Sequence, residues 1–400
     1  MPRRHKKALL NFNECRTEKY GLLEEVCTAC GLVETKRGAC RNRACPKCNN
    51  SRTEEWIEDA KRRLPNIPYF HMVFTVPSEL HYIARKNQSV FYDKLMRAVG
   101  ETLVAFGESP EFVQGKIGFM SVLHTWDSKL RFHPHVHVLM AGGFLNSAGT
   151  FVPIKKEAAF PTHAMSCRYK TVLLKSLREE LDEKIPSSFW NLAWVVYCKK
   201  TFPGTNDVVS YVGRYIKRIG IGPSRILKVD NKGVVFKYRH RLNKKETEFR
   251  EMRLDGEEFM RRYLQHILPK GFVRIRYYGL LHTYNSEALA RIKSENGDGV
   301  EEKEELKKKE CDECAVKRIT IKEIRPWWFG LRKKGGKFYL YKEEMKTKTG
   351  IASNDGAPPH NKLLKPTALG RHGPCEGKDR AGNPSGLSVS RPSPSAVLAA

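Results

Sequence analysis

The chain has 400 residues, of which 72 are Lys or Arg and 44 are Asp or Glu, so it carries a formal net charge of +28. No apolar run reaches the roughly 18–20 residues that cross a bilayer, and the N-terminal apolar stretch is too short for a secretory signal. We therefore expect a soluble, cytoplasmic protein with no membrane partner. The large positive charge predicts a polyanionic partner, nucleic acid above all.

Composition divides the chain into four segments. Residues 1–62 are rich in cysteine, and residues 63–290 alternate strand and helix patterns. Residues 291–345 begin with a charged run and contain a further Cys-x-x-Cys pair. Residues 346–400 are rich in Gly, Pro and Ser and have too few apolar side chains to offset the entropy of ordering, so we expect a disordered tail.

The N-terminal cysteines have the spacing of metal ligands. Two Cys-x-x-Cys pairs are separated by 14 residues: Cys27 and Cys30, then Cys45 and Cys48. Two such knuckles can face each other around one tetrahedral Zn²⁺, and four thiolates leave no open coordination position, so this Zn²⁺ should be structural. Cys15 and Cys40 are spare candidates for a second ion or a swapped ligand. The alternative interpretation is a redox or incidental dithiol.

Two further features accompany this predicted zinc site. Arg41, Arg43 and Lys47 surround the second knuckle, and we expect them to contact DNA phosphates. Cys311 and Cys314 form another Cys-x-x-Cys pair in the charged segment. A lone pair supplies only two ligands, so metal binding there is left open.

The middle segment predicts a definite order of elements. Ser51 and Glu54 fit a capping box that begins a helix. The patterns that follow predict, in chain order, a strand at 69–76, a helix through 91–103, strands at 117–124 and 135–141, a helix through 173–181, a strand at 192–199 and a helix at 207–219. This is the split βαβ, ferredoxin-like order, an α+β fold with an antiparallel sheet and helices on one face.

The strand His-Pro-His-Val-His-Val-Leu predicts a second metal site. His135 and His137 point to the same face of a strand, so both imidazoles can reach one ion. A third ligand must come from a neighbouring strand, and His124, which ends the preceding strand, suits this position. Three other residues are alternatives for the third ligand: Asp127, Glu79 and His71. The same alternation is also typical of a half-exposed strand.

The helix predicted at 207–219 carries two tyrosines. Tyr211 and Tyr215 are four residues apart and share one helical face. An ordinary amphipathic core helix has the same pattern. Three cations interleave the tyrosines, namely Arg214, Lys217 and Arg218. Cations beside a phenol ease its ionisation and bind phosphate, so we interpret this helix as a DNA-contacting one.

Five ordered sequence blocks resemble a known family. They are CTACG…GACRNRACPKCNN, HMVFTVPSEL, LHTWDSKLRFHPHVHVLMAGG, YVGRYIKRIGIGPSRI and EEFMRRYLQHILPKGFVRIRYYGLL, and they cover roughly residues 8–290. The His-hydrophobic-His motif has the form that names the HUH endonucleases. The set as a whole resembles the two-tyrosine rolling-circle transposases of bacterial insertion sequences, the insertion-sequence 91 type, with their N-terminal zinc-binding module.

The resemblance implies a function and a set of roles. It implies Mg²⁺ or Mn²⁺ on His135 and His137, nucleophiles at Tyr211 and Tyr215, and nicking of single-stranded DNA at element ends and target through 5′-phosphotyrosine links. It also implies a bacterial protein associated with the nucleoid. The chain departs from the family pattern at Ala44 and at Lys217, where a histidine is common, so a ligand or DNA contact at position 44 and a phosphate contact at position 217 could differ.

Two other classes remain open at this point. A replication initiator or relaxase would use the same chemistry in a different biological process, and a zinc-ribbon nucleic-acid-binding protein would use none. A carboxylate-triad transposase is disfavoured, because no acidic trio lies at matching strand ends. The sequence does not indicate an oligomeric state.

Overall fold

The structure is a computed structural model, and it describes most of the first 296 residues and three later strands. The described residues are 1–26, 30, 32–181, 185–205, 207–209, 213, 219–243, 246–296, 319–324, 329–334 and 337–342. The side chains at 23–26, 49–55, 201, 223 and in the three later strands are outside this description. Among the described residues, no helix is both long enough and apolar enough to cross a membrane.

Helices and strands alternate along the described chain. The helices are α1 (Arg3–Glu14), α2 (Pro46–Arg63), α3 (His81–Lys86), α4 (Gln88–Glu108), α5 (Thr162–Glu180), α6 (Gly256–Leu264) and α7 (Ser286–Glu295). The strands are β1 (Leu22–Val26), β2 (Val33–Arg37), β3 (Tyr69–Thr75), β4 (Lys116–Trp126), β5 (Phe132–Leu145), β6 (Phe151–Pro153), β7 (Val196–Phe202), β8 (Ile226–Asp230), β9 (Gly233–Arg241), β10 (Thr247–Leu254), β11 (Ile275–Gly279), β12 (Ile319–Ile324), β13 (Phe329–Lys334) and β14 (Lys337–Lys342).

The central sheet has the predicted ferredoxin-like topology. Its strands run in the order β11-β4-β5-β3-β7, with β6 added to β5, and every pairing is antiparallel. The chain order β3-α4-β4-β5-α5-β7 with the spatial order β7-β3-β5-β4 is that of a split βαβ unit. The sequence prediction of an α+β fold built on an antiparallel sheet is therefore confirmed.

One face of the sheet packs against α4 and α5. Alternate residues of β3, namely Phe70, Met72 and Phe74, are fully buried in the larger hydrophobic cluster. Residues of α4 and α5, such as Leu103 and Leu173, belong to the same cluster and are also fully buried. Because side chains alternate across a strand, this packing leaves the odd-numbered residues of β3 to the opposite face.

The opposite face is covered by a second layer. Tyr69 of β3 lies in a cluster with Leu64, which follows α2, and with Leu289 of α7. Val208 and Val209 are fully buried in the same cluster. Helical elements therefore lie on both faces of the sheet, whereas the sequence predicted helices on one face.

Two predicted boundaries were wrong, for local reasons. α2 begins at Pro46 with Cys45 as its N-cap residue, so Ser51 lies inside the helix. Proline is well suited to the first helical position, where its missing N–H costs no hydrogen bond, so the helix starts there. Strand β5 runs from Phe132 to Leu145, beyond the predicted 135–141 at both ends.

The longer β5 has physical explanations at both ends. At the N-terminal end of β5, the pairing with β4 is irregular around Pro134. On the other side, the last residue of β5 that pairs with β3 is His135, so β3 needs no hydrogen bond from Pro134. At the other end, a Cβ on Gly142 would lie 2.5 Å from the carbonyl oxygen of Pro68. The glycine thus permits close backbone approach, and it does not end the strand.

Three smaller sheets complete the described structure. One has the order β10-β9-β8 and packs against α6 through Phe236 and Phe259. One has the order β12-β1-β2, so a strand from beyond residue 318 pairs with the N-terminal segment. The third is the hairpin of β13 and β14.

We expect Phe74→Ala to destabilise the fold strongly. The Phe74 ring is fully buried and makes an edge contact with Tyr169 at 5.3 Å between centroids. Loss of a buried phenylalanine costs about 3–5 kcal/mol, because a cavity remains where the ring was. Chemical unfolding measures this as a lower transition midpoint. Tyr284→Ala is the control, since Tyr284 is 88% exposed, and equal midpoints for the two variants would contradict the described core.

Candidate metal centres and nucleic-acid contacts

Three imidazoles converge on the sheet face opposite α4 and α5. His135 and His137 lie on β5, and His124 lies directly opposite His135 on β4. One ligand atom from each of the three lies within 4.8 Å of the others. The rings of His124 and His137 are 4.4 Å apart between centroids. The predicted pair and the predicted third ligand thus meet at one point.

The nitrogen positions suit a shared cation. The Nδ1–H of His135 donates a hydrogen bond to the carbonyl oxygen of His133 (2.7 Å), which leaves Nε2 as the lone-pair nitrogen of the neutral ring. This Nε2 lies 3.0 Å from Nε2 of His137. Two ligands at right angles around an ion, each at about 2.1 Å, lie about 3.0 Å apart. The pair therefore has the spacing that two neighbouring ligands of an octahedral ion require.

His71 supports this pair from the neighbouring strand. Its Nε2 lies 2.9 Å from Nδ1 of His137, and the two rings stack at 5.2 Å between centroids. A partner on the second nitrogen fixes the orientation and tautomer of a ligating histidine. His71, one of the alternatives for the third ligand, is thus placed behind His137. Asp127 and Glu79, the other two alternatives, do not belong to the cluster.

Burial keeps these imidazoles neutral. Burial, with a smaller contribution from the neighbouring His133, lowers the pKa of His135 to about 3. Burial also lowers the pKa of His71 to about 4 and holds that of His137 well below its usual value. Only the neutral imidazole offers a lone pair to a metal ion. The site therefore presents metal-ligating nitrogens across the physiological pH range.

A buried network holds the β4 end of the site. The hydroxyl of Thr125 donates to Nδ1 of His266 (3.2 Å), and Nε2–H of His266 donates to the carbonyl oxygen of Leu130 (3.2 Å). The Nε–H of Arg274 donates to the carbonyl oxygen of Leu123 (3.0 Å). The bonds to Thr125 and Leu123 join β4 to the segment after α6. They are not encoded by any local sequence pattern, and sequence analysis missed both residues.

Arg274 adds a positive charge beside the histidines. Its guanidinium lies 5.0 Å from the ring centroid of Trp126, and burial lowers its pKa to about 9. Its charge contributes to the lowered pKa of His135 and of His137, so it is close to the site. A cation next to a cation-binding cluster is unfavourable unless an anion lies between them. A phosphate group satisfies this requirement.

A second cluster consists of four cysteines. Ligand atoms of its members lie within 4.8 Å of one another: Cys15, Cys40, Cys45 and Cys48. The Sγ atom of Cys48 lies 3.4 Å from that of Cys15 and 3.6 Å from that of Cys40. Four sulfurs at these separations fit a tetrahedral Zn²⁺ with Zn–S distances of about 2.3 Å. This donor set supports a structural Zn²⁺.

The cluster differs in composition from the predicted set. Cys45 and Cys48 belong to it, but the other two positions are taken by Cys15 and Cys40, the spare candidates. Cys30 is exposed and is not a member, and Cys27 lies outside the described residues. The physical reason is that α1 ends at Glu14 and brings Cys15 against the start of α2, a proximity that spacing alone does not reveal.

The turn that precedes α2 is docked onto α6. Ala44 is buried with Leu264 and Ile267, and its carbonyl oxygen accepts a hydrogen bond from the hydroxyl of Tyr263 (2.7 Å). The four sulfurs form their cluster without position 44, so the alanine there removes no ligand from it. Position 44 instead packs the cysteine cluster against the domain that carries the histidines.

The predicted DNA-contacting residues of this module differ in their surroundings. Arg43 donates from Nη1 to the carbonyl oxygen of Phe272 (2.7 Å), and Lys47 donates from Nζ to that of Cys15 (3.2 Å). Arg41 is exposed and has a left-handed backbone with φ of 53°. Arg43 and Lys47 therefore already donate hydrogen bonds to backbone carbonyl oxygens of the protein, whereas the side chain of Arg41 is exposed to solvent.

A cleft lined by arginines lies at the start of β5, the strand that carries His135 and His137. Its walls are Arg85, Arg131, Phe132, Arg261, Arg262 and Gln265. Two carboxylates, Asp127 and Glu258, pair with three of these guanidinium groups, so the cleft keeps a net positive charge. Phe132 begins β5, three residues before His135. The cleft can therefore hold an anionic chain.

The two predicted nucleophiles, Tyr211 and Tyr215, lie outside the described residues, as do Arg214, Lys217 and Arg218. Their described neighbours lie on the histidine face of the sheet. Val208 and Val209 pack with Leu139 of β5, which points to the same side as His135 and His137. A Cβ on Gly213 would lie 2.5 Å from Cγ1 of Ile57, so the segment also approaches α2 closely.

Comparison with known proteins agrees with this architecture. A family model described as "Putative transposase" matches residues 118–288, and one described as "Transposase zinc-binding domain" matches residues 1–76. The chain is 34% identical over 303 residues to "Putative transposase y4qJ" of Sinorhizobium fredii, covering 70% of this chain and 75% of that protein. It is 28% identical over 287 residues to "Transposase for insertion sequence element IS801" of Pseudomonas savastanoi pv. phaseolicola, covering 67% and 68%. No solved structure matches the chain significantly.

The fold, the two clusters and these matches define a transposase, a class of protein that binds DNA and moves DNA elements. The chain belongs to the transposases of the insertion-sequence 91 type, which have a zinc-binding domain at the N-terminus. The family resemblance seen in the sequence is thereby confirmed.

We expect His135→Ala to weaken Mn²⁺ binding by more than the roughly 10–100-fold that removal of an outer partner costs, because a direct ligand is removed. Isothermal titration of the full chain with Mn²⁺ measures the dissociation constant. His163→Ala is the control, since His163 is exposed on α5, which packs on the other face of the sheet. Equal Mn²⁺ affinity in the two variants would exclude His135 as a ligand.

Proposed function

We propose that this transposase nicks and rejoins single-stranded DNA through 5′-phosphotyrosine links, with Tyr211 and Tyr215 as nucleophiles, in rolling-circle-type transposition. One observation carries the proposal. His124, His135 and His137 converge on the same sheet face against which Val208 and Val209 pack. On the continuous helix that the sequence predicts, Tyr211 and Tyr215 follow Val208 by three and seven residues, along one stripe.

The three histidines would hold Mg²⁺ or Mn²⁺. Such an ion supplies Lewis acidity and orients the scissile phosphate. The imidazoles fit this role because burial keeps them neutral and because Nε2 of His135 lies 3.0 Å from Nε2 of His137. His71 fixes the ring of His137, and Arg274 offers a second positive charge for the phosphate.

The tyrosine step conserves the energy of the phosphodiester bond. The phenolate oxygen attacks phosphorus in line, the bond from phosphorus to the 3′ oxygen breaks, and the leaving 3′ oxygen takes up a proton. The product is a phosphotyrosine that retains the 5′ end of the strand and a free 3′ hydroxyl. A 3′ hydroxyl from another strand can reverse the step, so rejoining needs no nucleotide cofactor. Two tyrosines allow two strands to be held at once.

The strand would reach this site along the arginine-lined cleft. Phe132 and Arg85 face each other there, with the guanidinium 5.1 Å from the ring centroid. Aromatic and guanidinium surfaces stack bases without sequence preference, and cations neutralise the phosphates. An active site this deeply buried admits a single strand more readily than a duplex, which supports single-stranded DNA as the substrate.

We expect wild-type protein to form a covalent adduct with labelled single-stranded terminal DNA in the presence of Mn²⁺. The double variant Tyr211→Phe/Tyr215→Phe should form none, because phenylalanine lacks the attacking oxygen. Denaturing electrophoresis measures the adduct. Tyr82→Phe is the matched control, since Tyr82 is an exposed tyrosine on α3.

Three results would separate the proposal from its alternatives. An adduct in the double variant would exclude these tyrosines as the nucleophiles. Absence of any adduct in wild-type protein, with DNA binding retained, would favour a zinc-ribbon binding protein. Cleavage of a plasmid origin but not of element ends would favour a replication initiator or relaxase.

We further expect Arg85→Ala/Arg131→Ala to weaken single-stranded DNA binding at low salt. The slope of log affinity against log salt should become shallower by about 0.7 for each phosphate that the variant no longer neutralises. Fluorescence anisotropy across a salt series measures both quantities. Arg97→Ala is the control, because Arg97 is half-exposed on α4 and pairs with Asp93 away from the cleft. Identical salt slopes in wild type and the double variant would exclude the cleft as the DNA path.

A further inference from the structure

The sheet β10-β9-β8 has one face in the hydrophobic core and one face in solvent. On the core face, Phe236 and Tyr238 of β9 are buried in the cluster that includes Phe259 of α6. Because side chains alternate across a strand, Lys237 and Arg239 lie on the opposite side, where both are exposed. We call this side the outer face, and its residues form directly opposite pairs along β9 and β10: Arg241 and Thr247, Arg239 and Phe249, Lys237 and Glu251, Val235 and Arg253.

An exposed aromatic ring lies in the middle of the outer face. Phe249 is 63% exposed, and its ring centroid is 5.9 Å from the guanidinium carbon of Arg239. A phenylalanine in solvent gives up the hydrophobic stabilisation that burial would provide, so this ring adds little to the fold. A ring next to a guanidinium group offers two flat surfaces on which planar groups can stack.

Cations outnumber carboxylates on the outer face. The paired residues include three arginines and one lysine but one glutamate, and Arg239 is opposite a phenylalanine. Arg253 is already paired with Asp230 at 2.9 Å. The excess positive charge favours a polyanion as the partner. It disfavours a second copy of this chain, because the whole chain carries a net charge of +28.

The outer face borders the arginine-lined cleft. The hydroxyl of Ser128 donates a hydrogen bond to the carbonyl oxygen of Arg239 (3.1 Å), so the turn between β4 and β5 contacts β9. Arg131 of the same turn lines the cleft. Arg262, also of the cleft, donates from Nη1 to the carbonyl oxygen of Lys129 in this turn (3.1 Å). A DNA strand in the cleft can therefore continue past the turn onto the outer face.

We propose that the outer face binds single-stranded DNA, with Phe249 stacked on a base and with Lys237 and Arg239 at neighbouring phosphates. The outer face extends the path of the strand beyond the cleft, so its assignment rests on the proposed function. Single strands expose the flat faces of their bases, whereas a duplex keeps the bases stacked on one another. An exposed phenylalanine beside two cations therefore suits a single strand.

The test is fluorescence anisotropy of the full-length chain with a labelled oligothymidylate and with a duplex, without divalent ions, so that no covalent step contributes. Phe249→Ala should bind the single strand about 5- to 150-fold more weakly, because one stacked base is lost. Its affinity for the duplex should be unchanged. Because Phe249 is exposed, its substitution leaves the core of the sheet intact.

Three matched variants identify the kind of contact. Phe249→Trp should retain the affinity for the single strand, because an indole ring also stacks on bases. Phe249→Leu should lose it as Phe249→Ala does, because the leucine side chain is apolar but has no flat face. Val229→Ala is the control and should bind as wild type does, since Val229 is a 70% exposed apolar residue of β8 in the same sheet.

The two cations have their own measurement. In Lys237→Ala/Arg239→Ala, the slope of log affinity against log salt for the single strand should become shallower by about 0.7 for each phosphate contact that is lost. An unchanged slope would contradict the assignment of these two side chains to phosphates.

Four results would overturn the outer face as a binding surface for single strands. They are wild-type affinity in Phe249→Ala, an equal loss of affinity for duplex and single strand, full affinity in Phe249→Leu, and a wild-type dimer that Phe249→Ala dissociates in sedimentation. The last result would instead make the outer face a contact between two copies of the chain.

The outer face and the proposed tyrosine chemistry can fail separately. Weaker strand binding by Phe249→Ala, together with no covalent adduct in wild-type protein, would support the outer face and contradict the chemistry. Adduct formation by wild-type protein, together with unchanged strand binding by Phe249→Ala, would contradict the outer face alone.

Discussion

The register between β4 and β5 is the constraint on which the candidate active site depends. It places His124 opposite His135 and leaves His137 on the same face. Because side chains alternate along a strand, a slip of one residue would turn these imidazoles toward α4 and α5 and bring valines to the other face. The register is held by burial on both sides, since Val136 and Val138 fill the cluster under α4 and α5. The hydrophobic core thus fixes the position of polar groups that contribute little to it.

The segment around α6 connects the two clusters. The Tyr263 hydroxyl is bonded to the carbonyl oxygen of Ala44, next to the cysteines, and His266 is bonded to Thr125, next to His124. Arg43 reaches back from the cysteine module to the carbonyl oxygen of Phe272, two residues before Arg274. The zinc-binding module and the histidine face are therefore parts of one packed body in this region. A structural ion at the cysteines would stabilise the same segment that orders the histidine site.

The sequence predicted what depends on local periodicity, and it failed where distant residues meet. The ferredoxin-like order and the pair His135 and His137 follow from alternation and helical spacing, which neighbouring residues encode. The cysteine set could not be read from spacing, because Cys15 joins it through the end of α1, about 30 residues before Cys45. Arg274 was missed for the same reason, because it reaches the site through a hydrogen bond to the distant Leu123. The start of α2 was missed for a local reason, because Pro46 begins the helix before the capping box.

Gly213 sets how closely the segment that follows β7 can approach α2. A single methyl group there would meet the side chain of Ile57 at 2.5 Å, so either the segment or Ile57 would have to move. The side chain of Ile57 therefore sets the separation between that segment and α2. Exchanging the residues at positions 57 and 213 would therefore change the separation between that segment and α2 without altering the histidines.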